Sequence, residues 1–167
     1  MTIALEQVQD SIAHPLDVLE ELVAGNDWPF DRPSEDELVA EIQGRWCDYR
    51  LYFLWRDDVQ ALHFTAAFDT KVPQTRRREV NDLLAALNEK LWLGHFDVNP
   101  EDGMPMFRHT MPLRGQRGVG TEQLEDIVDT AVTECERFFP AFQMVVWGGK
   151  SAAEALEAAL FETVGEA

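Results

Sequence analysis

The residues of this chain that could do chemistry are few in kind. They are four histidines, two cysteines and a large supply of carboxylates. His63, His95 and His109, with Asp97, Glu101 and Asp102, have the donor types of a metal centre, which needs three or four of them to converge. No HxxxH or HExxH pair sets two histidines on one helix face, and the histidines fall on different expected strands. His63 and His109 therefore read as half-exposed strand residues. His95, directly after Gly94, joins Asp97 and Arg108 in a polar cluster. A small-ligand, metal-binding or enzymatic function would have to sit there.

Other signatures of catalysis are weaker. The loop Gly115-Gln116-Arg117-Gly118-Val119-Gly120 leads into a helix start, where free amides can hold an anion. It lacks the lysine and Ser/Thr of a phosphate loop and follows an antiparallel strand, so it reads as a connection. Ser11, Ser34 and Ser151 take tail or capping positions, and no GxSxG occurs. Cys47 and Cys135 have no CxxC spacing and read as reduced thiols packed in the core. No metal and no cofactor is expected.

Charge narrows the partners. Acidic residues number 31 against 14 basic, a formal net charge of −17 over 167 residues. Such a surface repels nucleic-acid phosphates and anionic lipid heads, and suits a basic or polar protein partner. The one basic run, Arg76-Arg77-Arg78, opens a helix and is followed by acids. Met1 to Asp10 carries acids where a secretion signal would have a basic end and an apolar run. Phe138 to Trp147, the longest apolar stretch, is broken by Pro140 and Gln143 and cannot span a bilayer. A cytoplasmic location follows as the expectation.

The elements that must position these residues are legible from periodicity. His14 to Ala24 reads as a helix with Leu16, Leu19, Leu22 and Val23 on one face, stopped by Gly25-Asn26. Asp27 to Pro33 reads as a turn-rich link. Ser34 to Gln43 fits either a capped helix or a strand, and its lead into a strand favours a strand at Glu37 to Gln43. Cys47 to Trp55 alternates with Tyr49, Leu51, Phe53 and Trp55 on one side. Leu62, Phe64, Ala66 and Phe68 repeat the pattern after the turn Arg56 to Gln60.

Thr75 to Leu93 carries the helical stripe Val80, Leu83, Leu84, Leu87 and Leu91, with Gly94 as its stop. His95 to Val98 and Met104 to Leu113 form a second hairpin, whose prolines Pro105 and Pro112 place the latter strand at an edge. A long helix runs from Thr121 and should kink or restart at Pro140, and a capping box at Ser151 to Glu154 opens a last helix, Ala152 to Phe161. The class is α+β. An antiparallel sheet carries packed helices in the order helix, three strands, helix, two strands, long helix, short helix. Residues 14–165 make one domain, behind an extension of residues 1–13.

Three runs in this order resemble the YbjN family of bacterial proteins, which are labelled sensory transduction regulators. They are Trp46-Cys47-Asp48-Tyr49-Arg50-Leu51, Asn88-Glu89-Lys90-Leu91-Trp92-Leu93-Gly94-His95-Phe96 and Phe138-Phe139-Pro140-Ala141-Phe142-Gln143. The ending Trp147-Gly148-Gly149-Lys150-Ser151 with Glu154-Ala155 is similar too. The resemblance implies a fold like the class I chaperones of type III secretion, which are acidic, commonly dimeric and bind extended protein segments without chemistry. It brings no catalytic residues. The expected function is thus a non-enzymatic, chaperone-like adaptor or regulator that binds a protein segment. Trp92, Phe139, Phe142 and Trp147 are its candidate partner contacts. Phe138, Phe139, Phe142, Val145, Val146 and Trp147 nearly encircle their helix. Either the last helix covers them or a second copy does, which makes a homodimer an expectation.

Overall fold

A computed structural model describes residues 12–165, so most of the expected N-terminal extension lies outside the described residues. The elements are α1 (Pro15–Gly25), β1 (Phe30–Ser34), β2 (Glu37–Gln43), β3 (Asp48–Arg56) and β4 (Ala61–Phe68). A 3-10 turn at Gln74–Arg76 leads into α2 (Arg77–Asn88), followed by β5 (His95–Val98), β6 (Pro105–Pro112), α3 (Thr121–Val146) and α4 (Ala152–Gly165). The expected order and the α+β class hold. Glu37–Gln43 is the strand that the sequence favoured, and the turn-rich link before it contributes β1 as an added edge strand.

All strands pair antiparallel in the order β1-β2-β3-β4-β6-β5. β6 is therefore an interior strand, not an edge. Its prolines stand at its first and last residues, where a missing N–H costs the ladder little, and β5 takes the edge. β3 alternates strictly, burying Tyr49, Leu51, Phe53 and Trp55 and turning Asp48, Arg50, Tyr52, Leu54 and Arg56 outward. The other strands keep the same parity, so one face of the sheet carries the core.

All four helices add to that one core. α2 contributes Val80, Leu83, Leu84 and Leu87, the apolar stripe read from the sequence. It ends at Asn88, earlier than Leu93, and Gly94 serves β5 instead of the helix. Gly94 has φ +66°, and a Cβ there would run into the Phe107 ring.

α3 is held by aromatic rings. Phe142 meets Phe68 at 5.2 Å and Phe96 at 5.7 Å, Phe139 meets Phe68 at 5.6 Å, and Phe138 meets Phe96 at 6.0 Å. Most of these pairs are edge-on, the arrangement that aligns a ring's positive rim with its neighbour's negative face. The helix continues through Pro140 as a single element, neither broken nor restarted. A proline in a helix interior costs about 3 kcal/mol. Burial of the three flanking phenylalanines, at about 1.5–3 kcal/mol each, outweighs that cost.

α4 folds back on α2 and α3 and buries Ala152, Ala155 and Ala159 against them. Phe138, Phe139 and Phe142 are buried against Phe68 and Phe96 of the sheet, and Val145 and Val146 are buried as well. Of the apolar set behind the homodimer expectation, Trp147 alone stays exposed, at 61 %. Arg76 fixes this return, its guanidinium donating to the Val145 carbonyl at 2.8 Å and to the Lys150 carbonyl at 3.0 Å.

Both sheet edges are blunted against further strands. On β5, the Asn88 amide pairs with the Phe96 backbone as a partner strand would: Oδ1 accepts the N–H at 2.7 Å and Nδ2 donates to the carbonyl at 3.1 Å. On β1, Pro33 has no N–H to offer, and Arg32 is tied to Asp17 at 2.8 Å and Glu20 at 2.6 Å on α1.

Two leucines on opposite faces test this one-sided architecture. Leu87 is fully buried and Leu54 is 38 % exposed. Leu87→Ala is expected to cost about 2–5 kcal/mol in urea unfolding. Leu54→Ala should stay within about 0.5 kcal/mol of the parent. Equal losses would mean that both faces are packed.

Candidate functional site

The outward face of the sheet has no helix on it among the described residues. Register places its side chains in rows across the strands. Glu41, Arg50, Ala67, Met106 and Asp97 form one row, followed by Val39, Tyr52, Thr65, Arg108 and His95, and then Glu37, Leu54, His63 and Thr110. Tyr52 and Leu54 are 37 % and 38 % exposed, unusual for large residues in the middle of an interior strand. A shallow depression at the centre is lined by Tyr52, Leu54, Arg56, His63, Thr65 and Arg108. The β5–β6 turn rims a neighbouring hollow with Asn99, Asp102 and Met104.

The expected polar cluster lies on this face. Arg108 and Asp97 make an ion pair at 3.4 Å, with both side chains nearly half exposed. His95 sits opposite Arg108 in the ladder and is exposed. An exposed pair of this kind contributes about 0–1 kcal/mol. The cluster offers charge and hydrogen bonds on an open surface. His63 is farther along the face, its Nδ1 at 3.1 Å from the Thr110 hydroxyl. His109 is on the opposite face of β6 and half-buried. Burial lowers its pKa, and the charge of His95 adds to that. Among the described residues no three histidine, cysteine or acidic side chains converge to hold a metal.

The other motifs are absorbed by structure. At the start of α3, the Gly120 N–H is taken by the Gln123 side chain at 2.9 Å, so one donor of the glycine-rich loop is satisfied internally. Of the basic run, Arg76 caps the end of α3, and Arg77 reaches the carbonyls of Val72 at 3.3 Å and Pro100 at 3.4 Å. Cys135 is buried and Cys47 half-buried. Burial pushes both thiols up, away from the thiolate that reactivity needs. The Tyr49 hydroxyl is also buried, and its pKa is pushed up by burial and then by the Glu136 carboxylate beside it.

The four candidate partner contacts divide. Trp92 and Trp147 are 74 % and 61 % exposed, in the loop after α2 and at the end of α3. Phe139 and Phe142 are 4 % and 1 % exposed and belong to the core, because α3 turns them onto Phe68. They are not surface contacts. The sequence reading missed the Tyr52–Leu54–Arg56 run as a site. Its signal was present in β3, where the outward residues from Arg50 to Arg56, opposite a buried face, are all large or cationic.

An α+β protein with a single antiparallel sheet, helices on one face and the other face open, is the class that this geometry defines. The profile of the YbjN family, described as "Putative bacterial sensory transduction regulator", matches residues 15–144, and the chain belongs to that family. Among solved structures, it is similar to a crystal structure of YbjN from E. coli, described as "a putative transcription regulator". The TM-score is 0.52 at 15 % identity, covering 72 % of this chain and 85 % of that one, so the likeness is one of fold. No curated protein matches. No helix among the described residues is long and apolar enough to cross a membrane.

His109 gives the site's surroundings a pH dependence. With its folded pKa below the ordinary value of about 6.5, the unfolded chain takes up the proton first. Stability should therefore decline as pH falls through about 6.5. Urea unfolding at pH 7.5 and 5.5 is expected to show a smaller decline for His109→Gln than for the parent. An identical decline in both proteins would place the titration elsewhere.

Proposed function

We propose that this protein is a non-enzymatic protein-binding module, an adaptor or regulator with chaperone-like action, working in the cytoplasm. It holds a segment of another protein against the open face of its sheet. The observation that carries this reading is the exposure of Tyr52 and Leu54 at the centre of a six-stranded sheet. Interior strands of a one-layer sheet normally turn small or hydrophilic side chains to water, as Thr65 and Thr110 do here. A half-exposed aromatic and a leucine side by side, ringed by arginines, have the composition of a contact surface.

The blunted edges support the same reading. A segment adding as a seventh strand would have to displace Asn88 from β5 or pair with a strand carrying Pro33. Docking onto the face needs neither. Family membership agrees, since its description as a sensory transduction regulator assigns it no reaction. Trp92 and Trp147 are exposed away from the face and would extend the contact for a longer partner.

Capture from the source cell tests the proposal. The full chain and its Tyr52→Ser/Leu54→Ser variant, first shown to unfold at the same urea concentration, are immobilised and the bound proteins identified by mass spectrometry. Proteins held by the parent and lost from the variant are the expected result. Identical bound sets, or none above a bare matrix, would contradict the face as the binding surface.

A further inference from the structure

The central depression of the open face has a charge character opposite to the rest of the chain. Its lining, Tyr52, Leu54, Arg56, His63, Thr65 and Arg108, includes two arginines and a histidine and no carboxylate. The whole chain carries 31 acids against 14 basic residues. The outward charges on the three central strands, β3, β4 and β6, are Arg50, Arg56, Arg108 and His63 against Asp48 alone. The flanking strands hold the acids: Glu37 and Glu41 on β2, and Asp97 on β5. The face is thus a cationic strip between acidic margins.

We infer that the segment recognised by this face is acidic and apolar, with carboxylate side chains meeting Arg56 and Arg108 on the two sides of the depression and an apolar neighbour on Tyr52 and Leu54. This rests on the protein-binding reading above. It also reverses what net charge alone implies, a basic partner.

The two arginines have internal mates outside the depression. Arg56 gives its Nε to Asp58 Oδ1 at 2.8 Å and its Nη2 to Oδ2 at 2.6 Å, and Arg108 meets Asp97 at 3.4 Å. Each guanidinium has five N–H donors, so neither mate exhausts it. Arg56 and Arg108 are 47 % and 45 % exposed at the side chain, and exposed pairs of this kind are weak enough to be shared with an incoming carboxylate. His63 lines the same depression and adds a polar ring to it. Long-range repulsion from the −17 charge is screened beyond about 8 Å in physiological salt, which leaves the local strip to decide. Arg56 and Arg108 themselves repel a basic segment from the depression, a repulsive contribution to specificity.

The test uses the full 15N-labelled chain at 150 mM salt and two synthetic peptides, Ac-DLDFDL-NH2 and Ac-KLKFKL-NH2, followed by amide chemical shifts. The acidic peptide is expected to shift amides of β3, β4 and β6, and the lysine peptide to bind at least about tenfold more weakly. Arg56→Glu/Arg108→Glu should abolish the acidic peptide's shifts, whereas Arg117→Glu, in the loop before α3, should leave them unchanged. Equal or tighter binding of the lysine peptide on this face would overturn the acidic assignment while leaving protein binding intact. Saturation of the same shifts by sodium acetate alone would overturn the segment in favour of a free-anion site. Absence of shifts from either peptide up to millimolar concentration would count against both this inference and the reading beneath it.

Discussion

The packing of α3's phenylalanines onto Phe68 and Phe96 is the interaction on which the rest of the structure depends. Phe68 lies on β4 and Phe96 on β5, and the order β4-β6-β5 puts β6 between them. Rings from Phe138, Phe139 and Phe142 bridge both, so α3 clamps the half of the sheet that carries the β5 edge. α2 and α4 then close over α3, with Arg76 joining the start of α2 to the end of α3 and the turn beyond it. Once this apolar mass lies on one side, the pleat of the strands decides the rest. Every residue between two core residues of a strand must face away from the helices. The open face is a consequence of that constraint.

Stabilisation and recognition are therefore divided between the faces. The inner face is almost wholly apolar, and the described residues include no buried charged side chain in the core. The outer face keeps its charges in exposed pairs such as Arg56–Asp58 and Arg108–Asp97, which stabilise little and remain available. Conserving the fold thus leaves the outer face free to vary its chemistry. Gly44 marks the opposite case, where the two layers meet at the end of the β2–β3 hairpin. The Glu136 carboxylate of α3 accepts the Arg45 N–H at 3.0 Å there, and a Cβ on Gly44 would collide with that carboxylate and the Tyr49 ring.

Much of this was legible in the sequence because the two faces of β3 and β4 differ so strongly in character. Tyr49, Leu51, Phe53 and Trp55 against Asp48 and Arg50 mark both strand and facing. The helices were equally clear in their apolar stripes. β1 was hidden because five residues containing Asp31, Arg32 and Pro33 show no apolar alternation, and only pairing with β2 makes them a strand. The interior place of β6 was hidden because its prolines imitate an edge, although they fall at its two ends. The fates of Phe139 and Phe142 depended on which side of α3 meets Phe68 and Phe96, which a helix apolar nearly all round does not encode. The candidate site was the least legible part. Arg108 is more than forty residues from Arg56 and His63 in sequence, and only the register of three strands sets them all around Tyr52.

The central claim is that one face of the sheet is sealed and the other is open to solvent. Hydroxyl-radical footprinting of the isolated chain, read by peptide mass spectrometry, measures this most directly, because β3 carries both tyrosines of the protein, one on each side. The account predicts rapid oxidation of Tyr52, Leu54 and Met106, with Tyr49, Leu51 and Phe107 protected until the chain unfolds. Protection of Tyr52 and Leu54 equal to that of Tyr49 and Leu51 would contradict it, and would mean that the face is covered in solution.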